Sequence, residues 1–185
     1  VVVYKEVRYH HLLSHLLENN AELKVVGIIR NPLAVISSWL NAKKEFRPDL
    51  GWKIAEEWYT AKKKNQGRIE EFNGYLKWVE VAYLFLDLQR THPQRFYLLN
   101  YSDLLVDTHE TICDLFKFCN LELESSTLKF LDEAKSKEVD DAYGVYRKKT
   151  NSDDKWKSSL PQYVIDEILS NADFKKLNSK FSWID

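Results

Sequence analysis

A junction at Arg30 constrains the fold of this 185-residue chain more than any other feature. The run Lys24–Ile29 is short, β-branched and almost entirely apolar, which is typical of a strand covered on both faces. Asn31 and Pro32 follow; Asn is a favoured N-cap, and Pro is favoured in the first helical turn. The pattern predicts a buried strand, a turn at Arg30 and a helix that continues to about Asn41.

The same alternation of strand and helix extends over the rest of the chain. Further strands are predicted at Val1–Val7 and Arg95–Asn100. Helices are predicted at 11–18, 52–64, 69–90, 108–119, 127–134 and 161–171, with Thr108 as a cap and a polar loop over 135–155. Alternation of this kind predicts an α/β fold with a parallel sheet, whose strand ends bind ligands. No linker divides the chain, so we expect a single domain over 1–185.

Composition excludes several classes of function. The net charge of −1 argues against a nucleic-acid partner, because such binding needs a basic excess. Cys113 and Cys119 lie on different faces of a predicted helix and have no further ligands nearby, so we expect neither a disulfide nor a metal site. Reduced thiols are the default for such cysteines, so we expect a cytoplasmic location. The apolar runs are too short to cross a bilayer, so we expect no membrane partner. Nothing in the sequence indicates the oligomeric state.

The turn at Arg30 is a candidate anion site. Backbone N–H groups at the start of the helix favour an anion, and an arginine adds a planar donor that stays charged. Ser37 and Ser38 lie on a small, polar stripe of the same helix and could add a hydroxyl. Alternatively, Arg30 pairs with a neighbouring carboxylate and the serines only allow close helix packing.

Arg30-Asn31-Pro32 followed by Ser37-Ser38 resembles the 3′-phosphate-binding segment of sulfotransferases. The resemblance implies that Arg30 and Ser38 hold the 3′-phosphate of 3′-phosphoadenosine 5′-phosphosulfate (PAPS). It also implies a P-loop-NTPase-like, helix-rich, three-layer α/β/α fold that uses PAPS as co-substrate and no metal.

A second stretch, Phe96–Leu104, resembles the family's strand that ends in Tyr-Glu-Asp-Leu. Tyr101 takes the place of the tyrosine that lies near the adenine, while Ser102 replaces the usual Glu. The alternative for Tyr101 is a packing residue at the end of a strand.

A third stretch, Arg147–Leu160, is similar to the family's late loop, in which a basic cluster precedes a Trp-basic-x-x-Leu element. The resemblance makes Arg147, Lys148 and Lys149 candidates for contact with the donor. A solvated basic run is the alternative.

The resemblance implies transfer of a sulfuryl group to the hydroxyl of a small-molecule or carbohydrate acceptor, and the pattern is nearer the carbohydrate-type and bacterial enzymes. Two alternatives stay open: a non-catalytic remnant of the fold, and a P-loop-related nucleotide or sugar kinase. The family's Gly/Ser/Thr-rich phosphosulfate loop has no counterpart here. Because the chain also opens inside an apolar run, we expect it to lack the first strand and that loop.

The catalytic base of the small-molecule enzymes is a His in a Lys-x-His element. Lys5 stands at the position of that Lys, but Val7 occupies the position of the His. Some carbohydrate enzymes of the family use a Glu near this location, so the resemblance makes Glu6 the leading candidate base beside Lys5, and His10 and His11 are weaker candidates. An ion pair with Lys5 or Arg8 is the alternative role for Glu6.

The segment 43–66 occupies the region in which the family builds its acceptor pocket. Its aromatic side chains are Phe46, Trp52, Trp58 and Tyr59. They could stack on a sugar ring or an apolar acceptor, or they could belong to a packed core.

Overall fold

The computed structural model of the protein describes residues 1–136 and 153–184. Its two strands, β1 (Val25–Ile29) and β2 (Phe96–Asn100), pair in parallel, with Val25 opposite Phe96 and Ile29 opposite Asn100. Both strands therefore end at the same edge of the sheet. The residues that follow them, Arg30 and Tyr101, are brought side by side.

Helices account for most of the remaining described residues. The α-helices are α1 (Leu13–Asn19), α2 (Pro32–Leu40), α3 (Ile54–Glu57), α4 (Lys62–Asn65), α5 (Tyr75–Thr91), α6 (Tyr101–Val106), α7 (Thr108–Cys119), α8 (Ser125–Ser136), α9 (Trp156–Ser159), α10 (Gln162–Ser170) and α11 (Ala172–Phe181). Short 3-10 turns cover His10–Leu12 and Pro48–Leu50. The predicted helix-rich α/β class with a parallel sheet is confirmed. Among the described helices, none combines the length and the apolar character needed to cross a membrane.

The junction between β1 and α2 has the predicted local structure. The Asn31 side chain accepts a hydrogen bond from the Leu33 N–H at 3.0 Å, and Pro32 occupies the first turn. Gly27 lets β1 pack closely, because a Cβ there would lie 2.7 Å from a ring atom of Phe96 and 3.0 Å from Phe85. Helix α2 therefore starts immediately after the sheet edge at a fixed position.

Several predicted elements were wrong. Val1–Val7 is exposed coil rather than a strand, because among the described strands β1 pairs only with β2 and nothing covers the apolar side chains. The predicted helix 52–64 is interrupted by Ala61, which has a positive φ of 49°. The predicted helix 69–90 begins only after Gly74, whose φ is 88°.

Smaller differences concern the carboxyl-terminal half. Asp107 rather than Thr108 caps α7, through its side chain to the Glu110 N–H at 3.1 Å. Helix α11 was not predicted from the sequence. Cys113 and Cys119 are free thiols, as expected.

The largest core cluster surrounds α2. Leu33 and Ile36 of α2 belong to one apolar cluster together with Trp156 of α9 and Val164 of α10. Helix α9 packs directly on α2. The segment that begins at Asp153 is thereby held beside the end of β1.

Candidate functional site

The Arg30 and Tyr101 side chains lie against each other where the strands end. The guanidinium carbon of Arg30 is 4.9 Å from the centroid of the Tyr101 ring. A guanidinium over an aromatic face at this distance is stabilised by a cation–π interaction. The two residues predicted to bind the nucleotide are thus neighbours.

Asp153 completes this cluster. Its carboxylate accepts hydrogen bonds from Arg30 Nε at 2.8 Å and from Arg30 Nη2 at 2.5 Å. The Arg30 side chain remains 33% exposed and that of Asp153 16%. Burial alone would lower the pKa of the guanidinium, but the hydrogen bonds and the charge of Asp153 together raise it above its usual value.

The structure therefore shows the alternative in which Arg30 pairs with a carboxylate. The pair uses one edge of the guanidinium, and within the described residues Nη1 has no hydrogen-bond partner. A carboxylate held by two parallel N–H groups has the geometry that arginine also offers to a phosphate. The Arg30 side chain can therefore bind an oxyanion along its Nε–Nη2 edge.

The two serines of α2 differ in environment. Ser37 is buried, and its Oγ lies 2.6 Å from Ser159 Oγ. Ser38 is exposed, and no hydrogen bond of the described residues joins it to Arg30. The role of Ser38 in holding the 3′-phosphate stays a prediction; the buried hydroxyl of the stripe is that of Ser37, which links α2 to α9.

The predicted basic cluster cannot be placed, because Arg147, Lys148 and Lys149 lie outside the described residues. The element that follows it is part of the core. Trp156 and Leu160 are both buried against α2 and α10.

The candidate catalytic pair lies in the exposed amino-terminal coil. Glu6 Oε1 accepts hydrogen bonds from the backbone N–H groups of Val7 at 2.9 Å and Arg8 at 3.1 Å. These bonds, first that from Val7, lower the pKa of Glu6 and hold it ionised. No hydrogen bond or ion pair of the described residues joins Lys5 or Glu6 to Arg30.

Of the weaker candidates, His10 is buried, and neither of its ring nitrogens has a hydrogen-bond partner. Burial, followed by the charge of Lys77, lowers its pKa. The ring is therefore held neutral inside the protein. A group without a polar partner or access to solvent is poorly placed to exchange protons with a substrate.

The aromatic side chains of segment 43–66 divide into two groups. Phe46 and Trp58 are buried in the core, so the packing interpretation is confirmed for them. Trp52 and Tyr59 are half-buried and pack against the same core.

Among the surface hollows of the described residues are two that bear on a binding site, and neither of these two is lined by Arg30 or Ser38. One of about 540 Å³ runs along β2 and α7 and has acidic walls, including Asp103, Asp107 and Asp114. The other has a volume of about 290 Å³ and is lined by Arg8, Lys44, Glu45, Arg47, Leu50, Trp52, Lys63, Lys64, Gln66, Arg68 and Glu71. No group of described side chains is arranged to hold a metal ion.

Sequence reasoning missed Asp153, the third member of the cluster, and Ser159, the partner of Ser37. Both lie in the late segment Arg147–Leu160, whose resemblance to a donor-contacting loop was a usable signal. Nothing in the residue pattern distinguished the carboxylate of Asp153 from that of Asp154 as the partner.

Comparison with known proteins identifies the relatives of this arrangement. A family model described as a sulfotransferase domain matches residues 5–170. A solved structure, the sulfotransferase domain from the curacin biosynthetic pathway, superposes with a TM-score of 0.51 at 16% identity. The match covers 95% of this chain and 59% of that one, so the present chain spans less than two thirds of its structural relative. No curated protein matches.

Proposed function

Because the chain belongs to the sulfotransferase domain family, we propose that it transfers a sulfuryl group from PAPS to an acceptor hydroxyl. The observation that carries the proposal is the position of Arg30, at the end of β1, beside the start of α2 and over the ring of Tyr101. These are the positions that the family resemblance assigns to the 3′-phosphate and the adenine. The acceptor is a small molecule or a carbohydrate.

The described residues fit an adenosine 3′-phosphate in two respects. The guanidinium of Arg30 already holds one oxyanion, the carboxylate of Asp153, with two hydrogen bonds. Tyr101 supplies an aromatic face beside that guanidinium, on which a purine can stack. In addition to these two contacts, the dipole of α2 favours negative charge at the start of the helix.

The reaction requires little covalent chemistry from the protein. PAPS supplies the activated sulfuryl group; the acceptor oxygen gains a bond to sulfur, the bond between sulfur and the 5′-phosphate oxygen breaks, and the hydroxyl proton leaves. Arg30 and Tyr101 contribute by positioning the nucleotide. Glu6 is our candidate acceptor for the proton, and its lowered pKa makes it an ionised but weak base. Lys5 adds positive charge to the same segment.

Ligand-induced stabilisation tests the proposal. We expect 3′-phosphoadenosine 5′-phosphate to raise the melting temperature more than AMP does, since only the former carries a 3′-phosphate. Arg30→Ala should remove that difference, because a hydrogen bond to a charged group contributes about 1.5–3 kcal/mol. Arg90→Ala, which removes an exposed arginine paired with Asp87, is the matched control and should keep it. Equal shifts for both nucleotides on the unaltered protein would sink the proposal.

A non-catalytic, sulfotransferase-like binding protein is the second candidate. The observation in its favour is that the candidate base, Glu6, lies in exposed coil, and no hydrogen bond or ion pair of the described residues joins it to Arg30. Binding of the donor without transfer to any of a panel of hydroxyl acceptors would favour this alternative.

A further inference from the structure

The smaller hollow, called the basic hollow from here on, is strongly cationic. Its lining includes six cationic side chains and two acidic ones, an excess of four positive charges. The six are Arg8, Lys44, Arg47, Lys63, Lys64 and Arg68. The chain as a whole carries a net charge of −1, so this is a local concentration of charge rather than a property of the surface.

Two of the ion pairs around the basic hollow are exposed and exchangeable, whereas Lys64 is largely buried and pairs with Glu45 of the same lining. Arg47 binds Asp49 at 2.8 and 2.6 Å, and Lys63 binds Glu56 at 3.0 Å. At least two fifths of each of these four side chains is exposed. Such pairs contribute about 0–1 kcal/mol each, so a ligand with several anionic groups can replace them.

Glu71 pairs with two of the arginines but does not occupy all of their hydrogen-bond donors. Its carboxylate is buried, and its Oε1 lies 3.7 Å from Arg8 Nη2 and 3.4 Å from Arg68 Nη2. The two arginine side chains remain 44% and 49% exposed. Their guanidinium groups are therefore held at the wall of the hollow while donors stay available to solvent.

The basic hollow is connected through neighbouring residues to the candidate base Glu6 and to α2, the helix that follows Arg30. Arg8 of its lining donates its backbone N–H to the carboxylate of Glu6, the candidate base, at 3.1 Å. Phe46, which lies between the lining residues Glu45 and Arg47, packs edge-on against Trp39 near the end of α2, at 5.7 Å between ring centroids. Arg30 precedes the start of this nine-residue helix, which is about 13 Å long.

We propose that the basic hollow is the acceptor site and that the acceptor is an acidic saccharide, with carboxylate or sulfate groups near its reacting hydroxyl. This inference rests on the proposed function, because it names the substrate class of the same reaction. Arginine forks match carboxylate and sulfate oxygens, and the half-buried Trp52 offers a ring face to a sugar. A volume of about 290 Å³ suits one or two sugar rings rather than a long polyanion.

Calorimetric titration with defined tetrasaccharides tests the inference. We expect a uronic-acid tetrasaccharide to bind with an affinity that falls as the salt concentration rises, and neutral maltotetraose not to bind. A sulfated tetrasaccharide without carboxylates distinguishes the two sources of negative charge. The double substitution Arg47→Ala/Arg68→Ala should weaken acidic binding at least tenfold. The matched double substitution Arg90→Ala/Lys117→Ala removes two exposed charges from α5 and α7 and should not change it.

Two results would overturn the inference: equal binding of acidic and neutral tetrasaccharides, or unchanged affinity in the Arg47/Arg68 double variant. Tighter binding of a short single-stranded oligonucleotide than of any saccharide would also contradict it. The nucleotide-dependent melting shift, measured on the same variants, reports the proposed function separately. The Arg47/Arg68 double variant should retain its preference for 3′-phosphoadenosine 5′-phosphate over AMP while it loses the saccharide.

Discussion

Asp153 holds the guanidinium of Arg30 through two hydrogen bonds, at 2.8 Å to Nε and 2.5 Å to Nη2. The carboxylate therefore lies where a bound oxyanion would make its own contacts, and its charge opposes that of a phosphate. Asp153 thus both positions the guanidinium of Arg30 and partly neutralises its charge. The balance of these two effects decides how tightly the nucleotide binds.

Asp153→Asn should strengthen binding of 3′-phosphoadenosine 5′-phosphate. Two unit charges 6 Å apart repel by about 3 kcal/mol at an effective dielectric constant of about 20, and solvent screening reduces that figure. We expect a gain in affinity of about tenfold by calorimetry. Asp154→Asn is the control, because Asp154 pairs with Lys157 on the exposed surface and should not affect the nucleotide. Weaker binding in Asp153→Asn would show instead that the carboxylate mainly positions Arg30.

Ser37→Ala and Ser38→Ala should affect different properties, stability and nucleotide binding respectively. Ser37 is buried and its Oγ lies 2.6 Å from Ser159 Oγ, so its removal should lower the free energy of unfolding by about 1 kcal/mol. Ser38 is exposed, so Ser38→Ala should change stability by less than about 0.5 kcal/mol. If Ser38 holds the 3′-phosphate, the same substitution should weaken nucleotide binding. Urea denaturation and calorimetry together distinguish the two roles.

Gly27→Ala should destabilise the fold. The added Cβ would lie 2.7 Å from Phe96 Cζ, and the ring of Phe85 closes the other side at 3.0 Å. Overpacking of this kind lowers the free energy of unfolding by about 1–3 kcal/mol. Adding Phe96→Leu to Gly27→Ala should recover part of the loss, which a double-mutant cycle measures. Simple additivity of the two substitutions would argue against the clash.

Stability should fall as the pH drops from 7 to 5, in part through His10. Burial lowers the pKa of His10 below its ordinary value of about 6.5, and the charge of Lys77 adds to this; Glu80 opposes the shift. Below about pH 6.5 the unfolded chain therefore binds more protons at this residue, so unfolding becomes easier. His10→Phe should flatten this part of the pH profile of urea denaturation. His15→Gln, at an exposed position, should leave the profile unchanged.

The sequence predicted the elements whose local pattern matches their final environment. The β1 strand, the Asn31 cap and the Pro32 start of α2 depend on neighbouring residues, and all three are confirmed. Val1–Val7 has the residues of a strand, but a strand forms only when another backbone pairs with it. The breaks at Ala61 and Gly74 depend on positive φ angles, which hydrophobic periodicity does not report.

The candidate site was predictable to the same extent. Strand ends in a parallel sheet meet at one edge, so the order of elements predicts Arg30 and Tyr101 at the same edge, and the pairing of β1 with β2 makes them neighbours. The choice of Asp153 over Asp154 depends on how α9 is oriented by its buried Trp156. That orientation is a property of tertiary packing and has no signature in the spacing of the two aspartates.

The distance in sequence between Arg30 and Asp153, 123 positions, has a consequence for biosynthesis. A nascent chain has β1 and the start of α2 long before the ribosome delivers the residues that pack on them. Nucleotide recognition should therefore be among the last properties that the emerging polypeptide acquires. Affinity for the nucleotide would then report that the carboxyl-terminal helices have docked.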